Sequence, residues 1–225
     1  MRVHLPYHWT LRTRLGRSPA AFIAMFGLVN DRARLTRADT ELVIEGFPRS
    51  GNSFSVFAFS NFGADALRLA HHVHSPSLIV LAARYRLPAV VLIRAPDDAV
   101  TAGLAKIRTH TAPDLMRAYA LYYRLLAPLR DRYVIAPFET VTTDVGCNVD
   151  AVNRRFGTDY DPVDAERHKQ LSKAFLAGEK MEALVGGELS GSTGPASPRY
   201  DSALAERART THARFLEMVA GDATD

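Results

Sequence analysis

The chain has 225 residues, 47% of them hydrophobic and 23% charged, the proportions of a soluble globule with ample material for a buried core. Its single cysteine, Cys147, excludes an intramolecular disulfide and any Cys-rich metal site, and leaves the cytoplasm as the expected location. The net charge is +4, but residues 1–40 hold seven Arg against two Asp, which leaves −1 for the remainder, so a chain-wide basic surface for nucleic acid is not supported.

Residues 1–40 read as a basic helical lead-in. Within it, Phe22, Phe26 and Val29 recur at helical spacing in a segment too short to span a bilayer and without a small-x-small cleavage site. This segment suits either a helix packed on the domain or an amphipathic element through which residues 1–37 make weak contact with a membrane surface. Leu42 to Glu45 is the first strand, and a helix-compatible stretch follows from Ser53 to Ala70. Ser75-Pro76 has the form of an N-cap with proline at the first helical position and opens a helix to about Arg86. Residues 89–94 form a second buried strand, and Pro96-Asp97-Asp98 starts a helix to about Lys106. A long helix runs from Thr111 to Leu129, a third strand from Tyr133 to Phe138, and a helix capped by Thr143 or Asp144 ends at Gly157. Asp164 to Ala183 and Ser202 to Val219 complete the helices, separated by a Gly/Ser/Pro-rich stretch, Gly186 to Pro198, that reads as a mobile loop.

Strands alternating with helices imply one α/β domain, residues 1–225, with a mostly parallel sheet flanked by helices. Such sheets bind ligands at the carboxyl ends of their strands, where Gly46, Arg94 and Phe138 fall. The strand–turn–helix at residues 41–54 is the form of a phosphate cradle, in which successive backbone N–H groups and a helix N-terminus point into one concavity. Gly46 to Ser53 matches the spacing of a Walker loop, except that Asn52 stands where the phosphate-binding Lys belongs and the cation has moved to Arg49. The second strand ends in Arg94 and not in a magnesium-binding Asp. Arginine at both strand ends suits a nucleotide held by cations without a metal.

The turn Pro48-Arg49-Ser50-Gly51-Asn52-Ser53-Phe54 resembles the 5′-phosphosulfate loop of the sulfotransferase family, a P-loop-like three-layer fold. Two more elements carry the resemblance. Val73-His74-Ser75-Pro76 resembles the family's H-x-P element, whose His takes the proton of the acceptor hydroxyl. The run from Arg94 to Ala102 resembles its 3′-phosphate element, R-x-P-x-D-x-x-x-S, with Ala102 where the Ser belongs and Thr101 one residue early. Phe138-Glu139 resembles a supporting turn of the family, and Arg199 is a candidate second 3′-phosphate ligand on the C-terminal loop. The match covers about residues 41–145.

The resemblance implies a sulfonate transfer from 3′-phosphoadenosine 5′-phosphosulfate to a small-molecule, carbohydrate or lipid hydroxyl, with adenosine 3′,5′-bisphosphate as product and no metal. His74 is the implied general base, for which imidazole suits because its pKa lies near working pH. Arg49 and Ser53, with the N–H groups of Ser50 to Phe54, would steady the leaving phosphate. Arg94 and Thr101 would hold the 3′-phosphate. His71 and His72 are rival histidines in the same segment. Two other readings stay open: a P-loop kinase or nucleotide hydrolase, and a catalytically silent nucleotide-binding module.

Overall fold

A computed structural model describes residues 9–21, 39–63, 67–106, 110–186 and 200–222. Four strands form one sheet: β1 (Leu42–Gly46), β2 (Leu69–His71), β3 (Ala89–Ile93) and β4 (Val134–Pro137). Their order across the sheet is β2-β1-β3-β4, and every pairing is parallel. Val43 stands opposite Ala89, and Val91 opposite Ile135, so the carboxyl ends of β1, β3 and β4 lie side by side. The helices that position the site and the core are α1 (Trp9–Leu15), α2 (Asn52–Asn61), α3 (Pro76–Tyr85), α4 (Pro96–Lys106), α5 (Ala112–Leu126), α6 (Phe138–Thr143), α7 (Val145–Phe156), α8 (Ala165–Gly186) and α9 (Ser202–Asp222).

Apart from Glu45 and His71, the strand residues are apolar on both faces because both faces are covered. Val43, Val91, Ile93 and Ile135 join Trp9, Ile79, Leu115, Tyr119, Tyr123 and Phe215 in one core, beneath α1, α3, α5 and α9. Leu42, Ile44, Val90, Leu92 and Val134 join Phe54, Phe59, Val149, Val152 and Leu171 in the other, beneath α2, α7 and α8. The expected α/β architecture, a parallel sheet between helices, is therefore present. Among the described residues no helix is long and apolar enough to cross a membrane.

Local chemistry sets most helix ends. Ser75 Oγ accepts the Ser77 N–H at 3.3 Å with Pro76 at the first helical position, and Arg86 closes α3 in a left-handed conformation. Thr111 and Asp144 cap α5 and α7 in the same way, and Gly157 (φ 66°) ends α7.

The structure corrects the sequence reading at three places. The helix expected to run from Ser53 to Ala70 stops at Asn61, and Leu69–His71 pairs with Leu42–Ile44 as an edge strand. Three residues cannot display an alternating pattern, and what holds them is main-chain pairing with a segment 27 residues earlier. Phe138-Glu139, expected to be a supporting turn, instead opens α6 directly after β4. The helix expected to reach Leu129 changes to a 3₁₀ turn at Ala127–Arg132. Most of the basic lead-in (residues 1–8 and 22–38) and nearly all of the Gly/Ser/Pro-rich stretch (187–199) lie outside the described residues.

Candidate active site

The carboxyl end of β1 runs into a loop that two features pin. Gly46 is the last strand residue, and a Cβ there would lie 2.8 Å from both Cβ and the carbonyl oxygen of Leu92, so no larger residue fits between β1 and β3. Phe47 then turns into the core, with its ring 5.2 Å from Tyr119 and 6.2 Å from Tyr122 and from Trp9. Its carbonyl accepts the Ser50 N–H at 3.2 Å and the Asn52 side-chain amide at 3.1 Å. Asn52, in the Walker-lysine position, thus braces the loop from within and offers no cation. Gly51 (φ 92°) is the N-cap of α2, and no side chain accepts a hydrogen bond there. The first N–H groups of α2 are consequently left for whatever occupies the loop's concavity.

Arg49 sits at φ 67° with an exposed side chain. Its carbonyl accepts the Arg94 Nη1–H at 3.1 Å, which ties the loop to the end of β3. The Arg94 guanidinium lies over the Phe138 ring, 4.1 Å from its centre, and the Arg94 carbonyl accepts the Tyr119 hydroxyl at 2.6 Å. Arg94 Nε is buried with no hydrogen-bond partner among the described residues. This is an unsatisfied cationic donor at a strand end. Asp97, three residues beyond Arg94, pairs with Arg209 of α9 at 2.9 Å and accepts the Tyr200 hydroxyl.

The histidine segment follows β2. His72 and His74 both have left-handed backbones, φ 60° and 51°. With Arg49, three of the four non-glycine residues of positive φ among the described residues cluster at this one place. Such conformations cost of order 1–3 kcal/mol each and persist only where the surroundings enforce them. His72 Nε2 lies 3.4 Å from Ser53 Oγ, and its Nδ1 lies 2.6 Å from His71 Nδ1. His74 Nδ1 is 3.2 Å from the Gly46 carbonyl oxygen. A carbonyl can only accept, so Nδ1 carries the hydrogen and Nε2 is the nitrogen left to take a proton.

Glu45, inside the buried run of β1, was not singled out by the sequence reading, although a carboxylate among Leu, Val and Ile was the visible signal. It is fully buried. Its Oε2 accepts the Val73 and His74 N–H groups at 2.8 and 2.9 Å, and its Oε1 accepts that of Gly46 at 3.1 Å. Burial pushes its carboxyl up to about 8, against the pull of those three N–H groups and of Arg12. Burial also holds His74 down, to about 4, with the positive charge of Arg12 and Arg49 adding to it and the Gly46 bond opposing it. His74 is therefore neutral near pH 7, and its 3.7 Å approach to Glu45 Oε1 is not an ion pair there.

Pro48, Arg49, Gly51, Asn52, Ser53, Phe54, His72, His74 and Arg94 all line one cavity of about 510 Å³, bounded further by Trp9, His110, Lys106, Phe138 and Phe175. The volume is in the range of small-molecule sites. Ser50 is fully buried within the loop and does not line the cavity. Thr101 is not on the cavity wall. Gly103 and Lys106 are, and a residue two before Gly103 projects about 200° away around the helix. The expected use of Thr101 in place of Ala102 finds no geometric support. Arg199 lies outside the described residues. No family model, curated protein or solved structure matches the chain.

Proposed function

We propose that the chain is a sulfotransferase with a P-loop-like donor site, moving a sulfonate from 3′-phosphoadenosine 5′-phosphosulfate to an acceptor hydroxyl. One observation carries the reading. An uncapped helix N-terminus, two arginines and a neutral histidine with a proton-accepting nitrogen all converge on one strand-end cavity. Arg94, also on the cavity wall, adds a second cation for an anionic group. Arg49, Ser53 and the first N–H groups of α2 suit the 5′-phosphosulfate, and Arg94 suits the 3′-phosphate as a planar donor.

When bound, the donor supplies a sulfonate whose bond to the phosphate oxygen breaks as the acceptor oxygen bonds to sulfur. The chain's part is placement and charge. His74 Nε2 takes the acceptor's hydroxyl proton, and its Nδ1–H keeps the imidazole oriented on Gly46. Arg49 and the α2 N–H groups meet the negative charge that develops on the leaving phosphate. An anion beside Arg49 also offsets the positive charge that depresses His74, so ligand binding makes the base stronger.

A thermal-shift comparison of nucleotides tests the reading. Adenosine 3′,5′-bisphosphate should stabilise the chain without divalent metal, by about 2.7 kcal/mol at a hundredfold excess over its dissociation constant, and AMP should do so less. Equal shifts from AMP and the bisphosphate, or a strict magnesium requirement with ATP preferred, would replace this reading with a kinase or hydrolase. His74→Ala should keep the bisphosphate shift and lose transfer by roughly 10²–10⁴-fold.

A further inference from the structure

The segment that presents His74 is gripped from two elements that the proposed reaction does not itself use. From β1, Glu45 Oε2 accepts the N–H groups of both Val73 and His74, at 2.8 and 2.9 Å. From α1, Arg12 donates its Nη2–H to the Val73 carbonyl. The peptide unit on each side of Val73 is thus tied to a buried side chain. Arg12 is itself buried, with its guanidinium 5.7 Å from the Trp9 ring, and Trp9 lies edge-on to the His74 imidazole at 6.3 Å.

A left-handed histidine leaves that conformation unless something holds it. A buried carboxyl in an apolar strand is costly unless its oxygens are bonded. Each feature accounts for the other: Glu45 is satisfied by the N–H groups that the left-handed turn exposes, and the turn is kept by Glu45. We infer that Glu45, with Arg12, is a positioning residue that locks residues 73–74 so that His74 Nδ1 stays on the Gly46 carbonyl and Nε2 stays free to act as base. The inference rests on the proposed role of His74 and assigns no contact between Glu45 and substrate. Oε2 can accept both N–H groups whether or not Oε1 carries a proton, so the lock does not require an ionised carboxylate. The charged and titratable groups around the pair are Arg12 from α1, His72 and His74 from the turn, Arg49 from the loop, and Tyr122 and Tyr123 from α5.

Long-range ¹⁵N–¹H spectra of the histidine-labelled full chain read the tautomer and titration of His74 directly, its resonance assigned by loss in His74→Ala. In the wild type the Nδ1–H tautomer is expected, titrating well below the ordinary histidine range. Glu45→Met, which removes the acceptor, should give a mixture of tautomers and a titration moved toward the ordinary range. Glu45→Gln keeps an oxygen for both N–H groups and should retain the wild-type tautomer. An Nε2–H tautomer in the wild type, or a Glu45→Met spectrum identical to wild type, overturns the inference. Should Glu45→Met not fold, Arg12→Met decides in its place: a mixed tautomer supports the lock and an unchanged one refutes it. Titrating the wild type with adenosine 3′,5′-bisphosphate in the same experiment separates the two levels. No response to the bisphosphate counts against the sulfotransferase reading, while the tautomer result judges the lock.

Discussion

Arg49 shows how one residue serves two opposed demands. Its backbone occupies a region that favours glycine, at φ 67°, while its side chain lines the cavity as a cation. Glycine would suit the loop better and the ligand worse. Arg49→Gly is therefore expected to leave the free chain as stable or up to about 1 kcal/mol more stable. Bisphosphate affinity should fall roughly tenfold to a hundredfold, the weight of one charge-assisted phosphate contact. Paired thermal melts with and without the bisphosphate check both halves, and unchanged affinity would show that the guanidinium points elsewhere. Asn52 teaches the complementary lesson. Its place in the Walker spacing was legible in the sequence, but its use as an internal brace on the Phe47 carbonyl was not, because an amide's direction depends on what surrounds it.

At the scale of elements, α1 is a seven-residue helix too short to be stable alone. Asp114, in the first turn of α5, holds it in place. Its carboxylate accepts the Trp9 N–H at 2.8 Å and the Thr10 hydroxyl at 2.6 Å, capping the N-terminus of a helix about a hundred residues away in sequence. The Trp9 indole N–H in turn donates to His110 Nε2 at 2.7 Å. Asp114→Ala should cost about 1–3 kcal/mol of stability. Because Trp9 is the chain's only tryptophan and is 5% exposed, its emission should shift to the red in that variant. A wild-type emission spectrum would mean that α1 is held by packing alone. The same element carries Arg12, so loosening α1 is expected to loosen the His74 turn as well. Thr101 illustrates the limit of motif matching on a helix: neither it nor Ala102 lines the cavity, which α4 meets at Gly103 and Lys106.

Across the whole molecule, the Glu45–His74 pair makes stability depend on pH in a defined window. Glu45 is raised from 4.5 to about 8, so its contribution is full below 4.5 and is lost as pH rises toward 8. His74 is lowered from 6.5 to about 4, so its contribution is full above 6.5 and is lost as pH falls toward 4. The two slopes oppose each other between about 4.5 and 6.5, and only the Glu45 slope remains between 6.5 and 8. Chemical denaturation of the wild type and of Glu45→Gln at pH 6.5 and pH 8 isolates it: the wild type should lose more stability over that interval than the variant. Equal losses would mean that Glu45 is already ionised at pH 6.5.

The parallel α/β arrangement and most helix boundaries were determined by the sequence itself. Buried strands in β1, β3 and β4 read as short apolar runs, and Ser75-Pro76, Asp144 and Gly157 mark their helix ends through contacts within a few residues. The gathering of the Arg49 loop and Arg94 at one edge was legible too, because parallel strands bring their carboxyl ends together, whereas His74 reaches that edge after β2, which the sequence pattern did not show. Tertiary structure alone decided the rest. The edge strand β2 exists through pairing with β1, and the lock on His74 joins Glu45 and Arg12 to Val73 across 28 and 61 residues. Those contacts depend on which side chains the packed helices and strands bring into register, and short-range sequence pattern carries no record of that.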